Sequence, residues 1–238
     1  MPNVRFHSNH FSNLSTDKYF PYPAKSIVPE WFSGANRYFR EVEGLDKKFV
    51  HERGLTFKGC PALLDIFLNG YILVTPCDIH VYDENGTKKI FVENQFHSFC
   101  RKREEAEGFP SPAGHSEENF VWYPNWAVEL PQGYSAIHMS PINRFDLPFT
   151  TVAGIIDNDT LHTTGQITFF IAKDFTGVIP AGTPYVQIIP FKREVWTHDT
   201  INHTSQEIYD REENVRKTFS VPEGGVYKKR FWSRKDYS

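Results

Sequence analysis

From Tyr123 to Trp196 the chain breaks its apolar residues into short runs, cut at close spacing by glycine and proline. The runs include Trp126-Ala-Val-Glu-Leu, Tyr134-Ser-Ala-Ile-His-Met, Thr151-Val-Ala-Gly-Ile-Ile and Gln166-Ile-Thr-Phe-Phe-Ile-Ala, and Ile179-Pro-Ala-Gly-Thr-Pro leads into Tyr185-Val-Gln-Ile-Ile-Pro-Phe. Turn residues recur too often for helices of ordinary length. The pattern is that of an all-β sandwich or barrel. This stretch constrains the fold far more than it constrains the chemistry.

The rest of the chain supports that class. A length of 238 residues suits one large domain, or one core with extensions. A hydrophobic content of 39% supplies a sizeable core, and the 21 phenylalanines lean toward strands. We expect an irregular N-terminal wrapper over 1–60, a β-rich core over 61–200, and a C-terminal helix with a basic-aromatic tail over 201–238.

Within the wrapper, Asn3 to Phe6 reads as a short strand and Phe20-Pro-Tyr-Pro as irregular, because each Pro removes a backbone donor. Ser26-Ile-Val-Pro-Glu-Trp-Phe allows one helical turn with Pro29 in it. Trp31, Phe32, Tyr38 and Phe39 are its residues for packing on the core. Pro61 to Asn69 reads as a short helix, with Pro at its first position and Asn69-Gly70 as a left-handed stop. Tyr71 to Pro76 reads as a buried strand, and Asn85-Gly86 as the turn of a hairpin between Asp78 and Val92.

The charge run from Arg101 to Glu107 reads as a solvated loop or a short surface helix. Thr204-Ser-Gln-Glu207 is a capping box opening a helix over 205–219, with Glu212–Arg216 and Glu213–Lys217 in support.

Composition also removes function classes. A net charge of −3 provides no global field to recruit nucleic acid or an anionic membrane. Cys60, Cys77 and Cys100 are widely spaced and odd in number, which fits neither a disulfide framework nor a cysteine zinc site. No apolar run approaches the ~18 residues of a membrane span. No signal-peptide core stands at the N-terminus, so the expected setting is a reducing cytoplasm. Neither a P-loop, a Gly-x-Ser-x-Gly nor a Gly-x-Gly-x-x-Gly occurs. His198-Asp-Thr-Ile-Asn-His203, with His162, is a histidine cluster, but adjacent His198 and Asp199 cannot both face one centre from a regular element. His7-Ser-Asn-His10 is weaker still, so no metal site is expected.

The order of motifs in the central stretch resembles the dUTPase and dCTP deaminase superfamily. Val128-Glu-Leu-Pro-Gln-Gly-Tyr resembles the strand and turn before the second motif of that family. Val152-Ala-Gly-Ile-Ile-Asp157-Asn-Asp resembles the third, and Ile179-Pro-Ala-Gly-Thr-Pro-Tyr-Val-Gln187 the fourth. The resemblance covers about seventy residues. It implies a β-clip jelly roll, usually trimeric. It further implies Asp157 as a sugar-contacting, water-activating carboxylate and Gln187 as a phosphate-contacting amide.

Hydrolysis at the α–β phosphate bond needs such a carboxylate, together with donors and a cation to absorb developing charge. The resemblance implies that Mg²⁺ would arrive with the triphosphate, and no other cofactor is expected. In the tail, Gly224-Gly-Val-Tyr227-Lys-Lys-Arg230 stands where the family carries a glycine-rich arm, its base-stacking aromatic and its γ-phosphate arginine.

The chain also departs from the family. Pro141-Ile-Asn-Arg144 lacks the phosphate-contacting serine, and Arg144 would have to act in its place. Thr160 stands where a sugar-packing Tyr is found, and the deaminase proton-shuttling Glu is absent. These departures argue against a nucleoside triphosphate pyrophosphatase.

As a whole, the chain resembles an uncharacterised family of phage- and bacteria-encoded proteins. Tyr22-Pro-Ala-Lys-Ser-Ile-Val-Pro-Glu-Trp-Phe, Gly59-Cys-Pro-Ala-Leu-Leu-Asp and Gln187-Ile-Ile-Pro-Phe-Lys-Arg-Glu carry that resemblance, which implies a virus-associated setting. The expectation is a phage-associated, non-enzymatic homo-oligomer with a virion or host protein partner, a trimer being preferred. The first alternative is a divergent nucleotide-binding or nucleotide-hydrolysing protein using Asp157, Arg144, Gln187, Tyr227 and Arg230. The second is a single-stranded nucleic-acid contact through Lys228 to Lys235, with Phe231 and Trp232 stacking on bases; the chain's net negative charge counts against it. The tail is otherwise expected to dock on a neighbouring subunit.

Overall fold

The computed structural model describes residues 2–8, 19–38, 56–93, 98–103, 109–219 and 227–236. The chain divides into two compact units, one formed by Met1–Ile27 and Asn69–Arg193, the other by Val28–Leu68 and Glu194–Ser238.

Among the described residues, the first unit is mainly β, with one short 3-10 turn at Ala24–Ser26. Its strands are β1 (Arg5–Ser8), β2 (Tyr22–Pro23), β3 (Tyr71–Val74), β4 (Ile79–Glu84), β5 (Thr87–Val92), β6 (Cys100–Lys102) and β7 (His115–Trp122). They continue as β8 (Trp126–Glu129), β9 (Tyr134–Met139), β10 (Phe149–Thr151), β11 (Gly154–Ile156), β12 (Ile167–Ala172), β13 (Gly177–Ile179) and β14 (Pro184–Lys192). They form sheets ordered β11-β9-β14-β3-β2, β10-β12-β7-β6 and β13-β4-β5, plus the pair β1-β8. Every pairing is antiparallel. The expected mainly β architecture is therefore what the chain adopts.

Alternation explains the core. Ile167, Phe169 and Ile171 share one face of β12 and are buried with Phe120 and Trp122 of β7, Tyr185 and Val186 of β14, and Ile79 and Val81 of β4. Trp122 stacks on Phe169 at 3.6 Å between ring centroids. Its indole N–H donates to Thr151 Oγ1 (3.1 Å), whose hydroxyl in turn donates to the Tyr185 carbonyl (2.7 Å). The polar edge of the largest buried side chain is thus satisfied inside an apolar core.

Local signals placed several elements. The hairpin turns at Asn85 and Gly86 (φ 56° and 80°), the positive angles that an Asn-Gly type I′ turn requires. Gly70 has φ 78°, and a Cβ there would lie 2.1 Å from the Ile188 carbonyl oxygen, so glycine is needed for space as well as for conformation.

Other elements differ from the sequence reading. β1 lies two residues later than expected and pairs with β8. Phe20-Pro-Tyr-Pro is not wholly irregular: Tyr22–Pro23 pairs with β3 at a sheet edge, where a missing donor is tolerated. Arg101 and Lys102 begin the charge run inside strand β6, not in a loop, because β7 offers them a ladder; residues 104–107 of that run lie outside the described residues. β7, not among the strands expected from the sequence, is central to the four-stranded sheet.

The second unit holds α1 (Glu30–Ser33), α2 (Pro61–Leu68) and α3 (Ser205–Phe219). Pro29 occupies the N-cap of α1 and not its first turn. Phe32, 3% exposed, packs on Phe67 (4.7 Å between centroids), and Trp31 reaches both Phe57 and Phe67. The aromatics assigned to the wrapper thus find partners around α2. Tyr38 is 36% exposed, and Phe39 lies outside the described residues.

α3 opens with the expected capping box. Glu207 Oε2 accepts from the Thr204 N–H (2.8 Å), and the Glu207 N–H donates back to Thr204 Oγ1 (3.3 Å). Glu213 pairs with Lys217 as expected, whereas Arg216 pairs with Glu213 one turn away and not with Glu212. No helix among the described residues is long and apolar enough to cross a membrane.

Candidate functional site

Asp157 immediately follows β11, whose register sets Ile156 opposite Ala136 of β9. That brings the Asp157 carboxylate to Ser135, the next residue along β9, whose hydroxyl donates to Asp157 Oδ1 at 2.6 Å. Arg193, one residue beyond β14, completes the group. Its Nη1 donates to Ser135 Oγ (2.9 Å), to Asp157 Oδ1 (3.2 Å) and to Asp159 Oδ1 (2.9 Å), and its Nη2 forms a short contact with Asp159 Oδ2. Asp159 Oδ2 also accepts from the Gly133 N–H at 2.8 Å.

The two carboxylates differ in setting. The Asp159 side chain is fully shielded, while that of Asp157 is 61% exposed. The Arg193 guanidinium, followed by the Gly133 N–H, holds the Asp159 carboxyl down to about 2. Arg193 is in turn stabilised as a cation by Asp159 and then Asp157. The cluster is an anchored ion-pair network joining the ends of β9, β11 and β14. Sequence reasoning picked out Asp157 alone; Ser135, Asp159 and Arg193 carry no motif that would have identified them.

Gln187 lies elsewhere on the same sheet. It opposes Met139, four residues along β9 from Ser135, a separation of about 13 Å at strand rise. Its side chain is buried at 2% exposure. Oε1 accepts from the Ile142 N–H (2.9 Å) and Nε2 donates to the Asn69 carbonyl (2.8 Å). The fold therefore does join Gln187 to the Pro141-Ile-Asn-Arg144 turn, but through the backbone. Arg144 itself makes a two-pronged bond to Asp146 (2.8 and 2.6 Å).

Beside that pair lies an open groove of about 540 Å³, lined by Leu147, Pro148, Phe175 and the Val178–Pro184 segment. The amides of Ala181, Gly182 and Thr183 along its wall are already bonded, to Asp78 Oδ1, the Thr75 carbonyl and the Pro180 carbonyl. The backbone donors of that wall are thus already engaged within the protein.

On the core side of β9, His138 Nε2 lies 3.2 Å from Asn158 Oδ1, and both residues are buried. Burial lowers the pKa of this imidazole, partly offset by the Asn158 hydrogen bond, so it is neutral in the fold. Burial pushes the Cys77 thiol up to about 12 and raises Cys100 further, which leaves both as unreactive core thiols.

Tyr227 and Arg230 belong to the second unit, in a single helical turn over Tyr227–Phe231. The tail that follows is held by its own chain: Trp232 Nε1 and Lys235 Nζ both donate to Asp65 Oδ2 of α2, each at 2.7 Å. Lys235 also sits 5.2 Å from the Trp232 ring centre. One of the two rings expected to stack on bases is therefore held against α2. Among the histidines, His162 and His198 are exposed and His203 faces Glu207 at 3.9 Å. His7 lies 2.7 Å from Glu129, and His10 is outside the described residues.

Compared with protein-family models and with curated proteins, the chain matches none.

Proposed function

We propose that this chain is a non-enzymatic, phage-associated subunit of a homo-oligomer, trimeric by preference, that uses a β-clip jelly-roll core as a structural or interaction module. One observation carries the reading: the polar groups that a nucleotide would need are committed to the protein itself. Gln187 uses both ends of its amide on backbone groups, Arg144 is locked by Asp146, and Asp157 Oδ1 is shared between Ser135 and Arg193. To bind phosphate, Gln187 and Arg144 would each first have to give up a partner, at about 0.5–1.5 kcal/mol for an ordinary bond and more for a charged one. The β-clip part rests on the order of the motifs, which fall on β8–β9, β11 and β13–β14 of antiparallel sheets. The phage setting rests on the resemblance of the whole chain.

Calorimetric titration of the full chain with dUTP and with dCTP, each with Mg²⁺, tests the reading. No heat of binding is the expected result. Micromolar binding that Asp157→Ala abolishes would overturn it in favour of a divergent nucleotide-handling protein.

A further inference from the structure

Beyond β14, residues 193–204 form neither helix nor strand and are exposed throughout. Val195 is 96% exposed, Trp196 85% and Ile201 72%. Among the described residues, no backbone hydrogen bond holds 195–203. An exposed apolar segment of this kind is unfavourable in water. An extended backbone with free N–H and C=O groups is also what a sheet edge accepts as an added strand.

The same chain carries a suitable edge. β11 is the outermost strand of the five-stranded sheet and is bonded only to β9. Its residues, Gly154-Ile-Ile, bear no charge. Ile155 is 65% exposed, more than any other large apolar residue on a strand, and nearby Leu161 is 55% exposed. Three other edges are protected: β5 carries Lys89, β6 carries Arg101 and Lys102, and β2 ends in Pro23; the uncharged edges β10 and β13 present no apolar side chain as exposed as Ile155. Lysine and proline are the usual guards against strand addition. β11 has neither.

We infer that the arm over residues 195–203 of one copy adds to β11 of a second copy and covers Ile155 and Leu161. Val195 and Ile201 share one side of an extended arm and Trp196 the other, so both faces of the added strand bring apolar surface. The three side chains expose on the order of 500 Å², over half of the roughly 800 Å² that each partner gives to a standard interface. The occupant is a second copy because donor and acceptor are both bare on one chain. They are different surfaces, so the contact is head-to-tail and forms a ring where the rotation closes. The inference rests on the homo-oligomer part of the proposed function and names the contact that builds it.

Trp196→Lys and Ile155→Lys test it, with Ile201→Lys as a second arm variant. All three positions are solvent-exposed in the single chain, so far-UV circular dichroism should match the parent, and the variants should still melt cooperatively, at a lower Tm where assembly stabilises the parent. Light scattering after gel filtration should show an assembled parent and monomeric variants. An equimolar mixture of Trp196→Lys and Ile155→Lys should form a pair of chains, because the intact arm of one meets the intact edge of the other. A monomeric parent would overturn both this inference and the homo-oligomer reading. A parent oligomer untouched by any of the variants would overturn the arm contact alone. Two monomeric variants that stay monomeric on mixing would overturn the pairing of arm with β11.

Discussion

Replacing Gln187 by Leu separates a structural amide from a ligand-binding one. The side chain is buried, and its two ends hold the Ile142 N–H in the turn after β9 and the Asn69 carbonyl just before β3. Leucine fills a similar volume but leaves one donor and one acceptor without partners. Each such loss costs about 1–3 kcal/mol, and since the backbone ends are only part-buried we expect roughly 2–3 kcal/mol in total. For a chain of this size that is a fall in Tm of roughly 5–10 °C. Urea unfolding followed by the emission of the core tryptophans reads the change directly. Gln187→Glu sharpens the test. At neutral pH it sets a carboxylate against the Asn69 carbonyl and should be worse than Leu; in mild acid the protonated Glu can donate again, and part of the loss should return. A Leu variant within about 0.5 kcal/mol of the parent would refute the argument and free Gln187 for a ligand role.

Three further outcomes follow from the same structure. Gly70→Ala combines a left-handed φ with a Cβ 2.1 Å from the Ile188 carbonyl, and should cost roughly 4 kcal/mol or more, seen as loss of soluble, cooperatively melting protein. Asp159, held at about 2 in the fold against ~3.9 when unfolded, contributes stability that is complete above about pH 4 and is lost as pH falls toward 2; Asp159→Asn should flatten that limb in urea titrations across pH. His138 has a folded pKa below its unfolded value of ~6.5, so stability should decline as pH drops below that value; His138→Gln should remove this limb even if it lowers stability overall.

Much of the fold was legible locally. Pro61 and Asn69-Gly70 bracket α2, Asn85-Gly86 turns the hairpin, and Thr204 with Glu207 opens α3. Each of these signals works within four residues, because caps and turns satisfy backbone groups from neighbouring side chains. The short apolar runs cut by glycine and proline likewise announced strands, β9 and β12 among them. β7 escaped notice because its charged first half, Ser116-Glu-Glu-Asn, hides the buried Phe120-Val-Trp122 end.

The candidate site was legible in part. Asp157 and Gln187 were picked out by motif order, yet what they do is set by residues far along the chain. Arg193 meets Asp157 across 36 residues, Gln187 meets Ile142 across 45 and Asn69 across 118. By itself, the sequence determined a β-rich chain, its turns and its helix ends, since periodicity and turn chemistry are properties of adjacent residues. Tertiary structure alone decided which carboxylate is neutralised, which amide is sealed and which strand edge stays bare. Those outcomes depend on the register between distant strands, and a one-residue slip would turn every side chain to the opposite face.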